Sequence, residues 1–551
     1  MVFQQEKSID LPNVDLLTLL FDHELCDAKE LSVIHAEAAD PSYSITKAQA
    51  RKLTKQVAHS LRTHFGIGAN GAGKDVVVTI SSGQYLLPTA FYGIVAAGGV
   101  FSAASGSFTA AELARQIKDG DSNVVICCQY TKDVAIAAAK ECGLGLDRVL
   151  VLRSYPKMSL RSVEGDLEMF GQGELDWERI TDPQELKDRL ICLLYSSGTT
   201  GIPKGVLISN QNLVAETVLP HALWREANAK LEAEGQSPFE SRTLGHLPTA
   251  HIAGLQTSFI NAFYEGGTVF WVPKFSFPEF LKYHKQYRLT IIVTVPPIYL
   301  LIAKMPDVTD QFDSVRLAIS GAAPLSKELQ YAASMRLGKG KTFISQAWGL
   351  SETTGSVTLL AHDKKDLTGS VSPLMPNMQM KVVDDDDNEV EEGERGEIVV
   401  KGPLICNGYH NNEKATKEVL RDGWLYTGDI GMLRDGLIYV VDRKKELIKY
   451  KGLQVAPAEL EGLLLSHELI KDAAVIGIDT EETEVPRAYV VADKEKVSEE
   501  DIKAFVKNNA ASHKQLRGGV VYIPAVPKSA SGKILRKDLR EMARREGNSK
   551  L

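Results

Sequence analysis

Several things are scarce in this chain, and each scarcity closes off a class of function. Cysteine is rare: Cys26, Cys127, Cys128, Cys142, Cys192 and Cys406 are six in 551 residues. None forms a Cys-x-x-Cys pair, and they are far too dilute for a disulfide-stapled scaffold, so reduced and mostly buried thiols are expected. No His/Cys constellation has zinc spacing. Positive charge is in deficit, with 63 Lys and Arg against 71 Asp and Glu for a net charge of −8. That leaves no domain-wide basic field for a nucleic-acid partner. Long hydrophobic runs are missing too. The longest, 92–104 and 289–303, are broken by glycines or by Pro296-Pro297 and read as core rather than membrane spans. The opening residues Met-Val-Phe-Gln-Gln-Glu-Lys lack the basic and apolar regions of a secretory signal, and none is expected.

What remains is the composition of an ordinary globular protein, 44% hydrophobic and 24% charged. Its length calls for two or more domains. From about 46 to 350, helical segments alternate with short apolar runs at 76–80, 124–126, 148–152, 191–195, 268–271, 291–295 and 317–320. This pattern predicts a layered α/β core with largely parallel strands. From about 375 to 441 the chain turns strand-rich, at 380–383, 397–401 and 437–441, which predicts a small β subdomain. The charge run Asp442-Arg443-Lys444-Lys445-Glu446 then interrupts the apolar pattern, and a smaller α/β unit follows. The boundary is placed at Lys445, giving an N-terminal domain of 1–444 and a C-terminal lid domain of 445–548. Two tempting motifs are set aside. Residues 68–74 have the spacing of a Walker loop, but Asp75 stands where Ser or Thr is needed and the run precedes a strand. The acidic run 384–387, with Glu391 and Glu392, reads as a solvated hairpin turn.

The most informative stretch is Tyr195-Ser196-Ser197-Gly198-Thr199-Thr200-Gly201-Ile202-Pro203-Lys204-Gly205-Val206. It lies between two strand-like runs. Its small residues let backbone N–H groups face a common concavity, the hydroxyls add donors, and Lys204 adds a full charge. Ser196, Ser197, Gly198, Thr199, Thr200, Gly201 and Lys204 therefore read as a polyphosphate cradle.

This stretch resembles the phosphate loop of the acyl-adenylate-forming enzymes, the superfamily of acyl-CoA synthetases, 4-coumarate–CoA ligases, luciferases and peptide-synthetase adenylation domains. Similar blocks recur in the family's order at 320–324, 346–355, 396–403, 423–429, 442–457 and 527–536. The resemblance implies a large N-terminal adenylation domain capped by a mobile lid, with ATP and CoA as cosubstrates and Mg²⁺ as cofactor. Joining a carboxylate to the α-phosphate forces two anions together; unit charges about 4 Å apart repel by roughly 4 kcal/mol at an effective dielectric near 20. The resemblance assigns the cation that relieves this to Lys533, in Pro527-Lys528-Ser529-Ala530-Ser531-Gly532-Lys533. Glu352, in Gln346-Ala347-Trp348-Gly349-Leu350-Ser351-Glu352, matches the metal-holding carboxylate. Gln346, Ala347, Trp348, Gly349 and Ser351 match the adenine side. Trp348 replaces the family's usual tyrosine, so stacking is retained and a phenol hydroxyl is lost. Gly321, Ala322 and Ala323 match the backbone over the other adenine face. Asp429 matches the acid that accepts the ribose hydroxyls, and Arg443 a further ribose contact. Lys445 matches the hinge. Lys449 and Gln454 match residues of the thioester-forming half-reaction, and Lys451 and Gly452 the pantetheine channel, which a lid rotation brings to the site.

The carboxylate is expected near His251, for which a satisfied core histidine is the alternative reading. No Asp or Glu falls between Gly245 and Tyr264, which argues against a substrate with an α-amino group. Ala347, where relatives commonly have glycine, narrows the acyl pocket. The chain is thus expected to be an acid–thiol ligase. It is similar to fungal ligases of 4-coumarate type that activate aryl or medium-chain acids, sometimes in secondary metabolism. A luciferase-like oxygenase and a stand-alone enzyme loading a carrier protein are the alternatives. The terminal Ser549-Lys550-Leu551 reads as a peroxisomal matrix address with an import receptor as partner. Deleting these three residues should leave activity intact and turn a punctate cellular distribution diffuse, as seen by fluorescence microscopy; an unchanged pattern would refute the address.

Overall fold

The structure is a computed structural model that describes residues 2–196, 203–451, 453–480, 483–529 and 532–548. A seven-stranded sheet holds the centre, in the order Lys204–Ser209, Leu190–Ser196, Val100–Ala104, Val76–Ile80, Val124–Cys128, Val149–Arg153, Ser159–Ser162. The five inner strands are parallel and the two outer ones antiparallel. Strands 76–80, 100–104 and 124–128 are buried at every residue. That is why they read as unbroken apolar runs rather than alternating ones. Within Val76–Ile80 the pleat still sorts side chains. Val76, Val78 and Ile80 pack with Leu113, Ile117, Ala135 and Ala138, while Val77 packs with Leu61, Phe91 and Phe101 on the other face.

A four-stranded sheet (Arg242–Gly245, Thr268–Trp271, Val33–Glu37, Ser44–Thr46) is parallel except for its last pair. A small parallel sheet of Ile291–Thr294, Leu317–Ser320 and Ile344–Gln346 lies in register, so that Thr294, Ser320 and Gln346 end side by side. The expected β subdomain is an antiparallel sheet built on Gln379–Val383, Gly396–Lys401, Trp424–Arg434 and Leu437–Arg443, with Phe3–Gln4 added at one edge.

Two expectations can be placed directly. Residues 384–387 form an exposed turn between strands, closed by Asp384 N–H donating to the Asn388 carbonyl at 2.9 Å. The Walker-like run 68–74 lies in turns ahead of Val76–Ile80. The last helix runs Arg536–Asn548. No helix among the described residues is long and apolar enough to cross a membrane.

Beyond Arg443 the chain builds a separate core. Leu460, Leu464, Val475, Val490 and Ile502 cluster around the sheet Ile470–Asp479, Glu484–Ala492, Val520–Tyr522. Arg536 and Glu461 lock the last helix to this unit by a two-pronged ion pair, 2.7 and 2.8 Å, with both side chains largely buried.

Candidate active site

Open parallel sheets present ligands to the loops at their strand C-termini. The three-stranded sheet does this with Val295-Pro296-Pro297, Gly321-Ala322-Ala323 and Ala347-Trp348. Backbone bonds tie the loops together: Ala347 N–H donates to Ser320 at 2.8 Å and Gly321 N–H to Thr294 at 3.3 Å. Ala322 holds φ at +68°, a left-handed conformation uncommon for a residue with a Cβ and often found at functional loops. Gln346, expected at the nucleotide, is buried. Its side chain accepts from the Leu325 N–H at 3.3 Å and donates to Gln330, so it braces the loop wall from behind.

Gly349 pairs with Ser356 in a tight hairpin. A Cβ on Gly349 would lie 1.7 Å from the Gly355 carbonyl, so only glycine fits there. The hairpin carries Ser351 and Glu352 on a single helical turn. The Tyr409 hydroxyl donates to Glu352 Oε1 at 2.7 Å, and the Lys204 ammonium sits 4.8 Å from the centre of the Tyr409 ring. Tyr409 thus links the phosphate-loop lysine to the carboxylate. Nothing in the sequence marks it, because the link exists only where Tyr409 bridges onto Val206. Lys204 and Ser196 are register partners at the mouth of the loop. Ser197, Gly198, Thr199, Thr200 and Gly201 lie outside the described residues. Among the described residues no group of three or more His, Cys, Asp or Glu forms a metal cage. A lone carboxylate linked through Tyr409 to Lys204 is a donor that suits Mg²⁺, which takes few protein ligands and fills its shell with water and substrate phosphate.

Asp429 and Arg443 face each other on neighbouring antiparallel strands. Arg443 Nε lies 2.5 Å from Asp429 Oδ1, and the Trp348 indole N–H donates to Asp429 Oδ2 at 2.8 Å. Burial pushes the Asp429 carboxyl up, and Arg443 and the indole work against that shift. The tryptophan that costs a phenol hydroxyl in the sequence reading therefore supplies a donor of its own, aimed at the acid.

Lys533 reaches this cluster from the lid. Its loop is closed by Ser529 N–H donating to the Lys533 carbonyl at 2.8 Å. Gly532, at φ +79°, seats the loop against Val295 and Pro297, where an added Cβ would lie 3.2 and 3.5 Å away. Burial, then the Arg443 charge, lowers the Lys533 pKa below the ordinary lysine value, while Asp429 and Glu446 oppose the shift. The same ammonium acts on His251. Burial first and Lys533 second hold that imidazole down to about 4, so it is neutral at physiological pH. Lys533, His251, Asp429 and Arg443 thus converge from four separate stretches of chain.

Lys449 and Gln454 are opposite each other on an exposed hairpin of the lid. Lys451 N–H donates to Thr483 Oγ1 at 2.7 Å in the same exposed region, and Gly452 lies outside the described residues. Lys445 sits in the turn that leaves Arg443, with Lys444 anchored to Asp385 at 2.9 Å and Glu397 at 3.1 Å. Asp442 accepts from the Ala458 N–H at 2.9 Å across this turn. On the far side Lys304 donates to the Leu465 and Ile470 carbonyls of the lid at 3.3 and 3.1 Å.

The chain also resembles known proteins over nearly its whole length. It is 50% identical over 551 residues, 99% of this chain and 98% of the other, to a protein of Emericella nidulans named "Putative acyl-coenzyme A synthetase". It is 33% identical to a phenylacetyl-CoA ligase of Aspergillus niger, covering 98% of this chain and 99% of that one. Among solved structures, ATP-bound MatB of Rhodopseudomonas palustris superposes with a TM-score of 0.81 at 25% identity, covering 96% of this chain and 98% of that one. Residues 28–410 match the family described as AMP-binding enzyme, and residues 459–533 match the AMP-binding enzyme C-terminal domain. The chain belongs to the AMP-binding enzyme family.

Proposed function

We propose that the protein is an ATP-dependent acid–thiol ligase. A substrate carboxylate oxygen attacks the α-phosphorus of ATP and pyrophosphate leaves; the sulfur of CoA then attacks the acyl carbonyl of the adenylate and AMP leaves. The observation that carries the reading is the placement of Lys533, a lid lysine half-buried against an N-terminal cluster of Arg443, Asp429 and His251. In this arrangement its ammonium is available to the oxygens that must approach each other, and its partial desolvation strengthens that interaction. His251, neutral and a hydrogen-bonding group, orients the incoming acid without adding charge.

Asp429 accepts the ribose hydroxyls, with Arg443 and Trp348 fixing its orientation. Glu352, steered by Tyr409, takes the magnesium ion that accompanies ATP; bound there, the ion neutralises phosphate charge. Lys449, Gln454, Lys451 and Gly452 serve the second half-reaction after the lid turns about Lys445, with 1–444 and 445–548 as the two moving parts. Their exposure, with Lys533 half-buried, is what a lid posed for the first half-reaction requires. An aryl or medium-chain acid is the substrate class, supported by the similarity to phenylacetyl-CoA ligase. A peroxisomal location rests on Ser549, Lys550 and Leu551, which lie outside the described residues.

Lys533→Ala should slow adenylation on the order of 10²–10³-fold, by analogy with loss of one transition-state donor. Thioester formation from supplied acyl-adenylate should be spared, so separate assays of pyrophosphate release and CoA acylation decide; equal loss in both contradicts the division of labour. Because the Lys533 ammonium is needed charged and its pKa is depressed, its charge is lost as pH rises. kcat/KM for pyrophosphate release should therefore fall on an alkaline limb that begins below the ordinary lysine value of 10.5. Trp348→Phe removes the indole donor while keeping a stacking ring. It should weaken ATP binding by roughly 5–100-fold in nucleotide titrations and also lower thermal stability, because the buried acid loses a partner in the free protein as well.

A further inference from the structure

The lid helix Pro457–Ser466 has no side-chain cap of its own at its start. Its N-cap residue is Ala456, which offers no side-chain acceptor, and Pro457 opens the helix without an N–H. The first free donor is the Ala458 N–H, and it goes to Asp442 Oδ2 at 2.9 Å. At the other end, Lys304 Nζ donates to the carbonyls of Leu465, in the last turn, and of Ile470, which begins the next strand, at 3.3 and 3.1 Å. Both partners belong to the chain before the boundary. Their signs suit the helix dipole, an acid at the amino end and a cation at the carboxyl end. Between them Gly462 faces Ser326, whose Cβ would lie 3.5 Å from a Cβ added at the glycine.

Positions 458, 462 and 465 follow at helical spacings of four and three, so they share one face. Leu460 and Leu464 of the same helix belong to the lid's own core. The helix thus gives one face to the lid and another to the seam. The seam contacts differ in how they answer a turn of the lid about Lys445. Asp442 lies three residues from that pivot, so its bond stays near the axis. Leu465 lies seven residues beyond Ala458, roughly 10 Å along the helix, and its carbonyl swings with the lid while Lys304 stays behind. Lys304 ends the helix Pro296–Lys304, whose start receives Gly532, the neighbour of Lys533. Among the described residues Lys304 has no carboxylate partner, and the two lid carbonyls are its hydrogen-bond acceptors.

We propose that Lys304 is a positioning residue for adenylation: it clamps the lid helix against the N-terminal unit, holds Lys533 at the site, and lets go when the lid turns to form the thioester. The proposal rests on the ligase reading above. Lys304 touches no reacting atom, so removing it should change the balance between the half-reactions and not the chemistry of either. The test uses the full chain with phenylacetic and decanoic acids. Pyrophosphate release from acid and ATP, and CoA acylation from the supplied adenylate of the same acid, are measured separately for the wild type, Lys304→Met and Lys304→Arg. Met should lower the ratio of the first rate to the second by about 3–10-fold, the worth of an exposed hydrogen bond from a charged group. Arg, which can still donate to both carbonyls, should keep the wild-type ratio. Gly462→Gln puts a longer side chain where a Cβ already meets Ser326, and should shift the ratio the same way with Lys304 intact. An unchanged ratio in the Met variant, or an equal loss in both half-reactions, overturns the proposal. Should the Met variant fail to fold, Gly462→Gln decides by the same criterion. A wild type that neither releases pyrophosphate nor acylates CoA counts against the ligase reading itself, whereas an unmoved ratio in a working enzyme counts against Lys304 alone.

Discussion

Repulsion between two anions organises this molecule. A carboxylate and a triphosphate cannot be brought into bonding distance without positive charge between them, and a permanent buried cation would be expensive to keep desolvated. The structure places Lys533 on a separate folding unit. The lid has its own core around Leu460, Val475 and Ile502 and its own buried ion pair, Glu461 with Arg536. It can therefore carry an ammonium to the N-terminal cluster without either unit having to unfold. At the seam, Lys533 stands near Arg443, a like charge, and near Asp429, an opposite one; the second tempers the first.

Asp429 is the pivot of that balance. It is buried, yet both oxygens are engaged, one by the Arg443 guanidinium and one by the Trp348 indole. A buried carboxyl so held keeps a fixed orientation. The two partners come from different layers. Arg443 is fixed by strand register inside the β subdomain, and Trp348 by the loop leaving the parallel sheet. The acid thus couples the subdomain to the small parallel sheet. Tyr409 plays a parallel part a short way off, joining Lys204 at the mouth of the phosphate loop to Glu352 on the hairpin.

The lid's contacts make the present arrangement specific rather than incidental. Gly532 fits against Val295 and Pro297 at the start of the helix Pro296–Lys304, and Lys304 at its other end caps carbonyls of the lid. Opposite ends of one helix therefore hold the lid with Lys533 inward and the Lys449–Gln454 hairpin outward. Lys304 donates to backbone carbonyls and meets no carboxylate there among the described residues. Such a contact is weaker than a buried ion pair.

Much of this was legible in the sequence, because local chemistry marks it. Unbroken apolar runs predict buried parallel strands; the Ser/Thr/Gly-rich loop with Lys204 announces a phosphate site; the charge run at 442–446 signals the boundary between units. Glu352, Asp429 and Lys533 stand in motifs that resemble those of the adenylate-forming enzymes. Other features depended on which distant segments meet. Gln346 turns away to brace Leu325, Trp348 delivers its indole N–H to Asp429, Tyr409 bridges onto Val206, and Glu216 carries its carboxyl to Ser356, more than a hundred residues on. A lone Glu on a helix or a lone Tyr in a loop has no local pattern, so its partners emerge only when packing removes water and leaves each buried oxygen in need of a donor. The sequence by itself determined the element types and the change from a large unit to a small C-terminal one; tertiary packing alone decided which side chains share the site, because hydrogen bonds between remote strands and helices are set by register and burial and not by spacing along the chain.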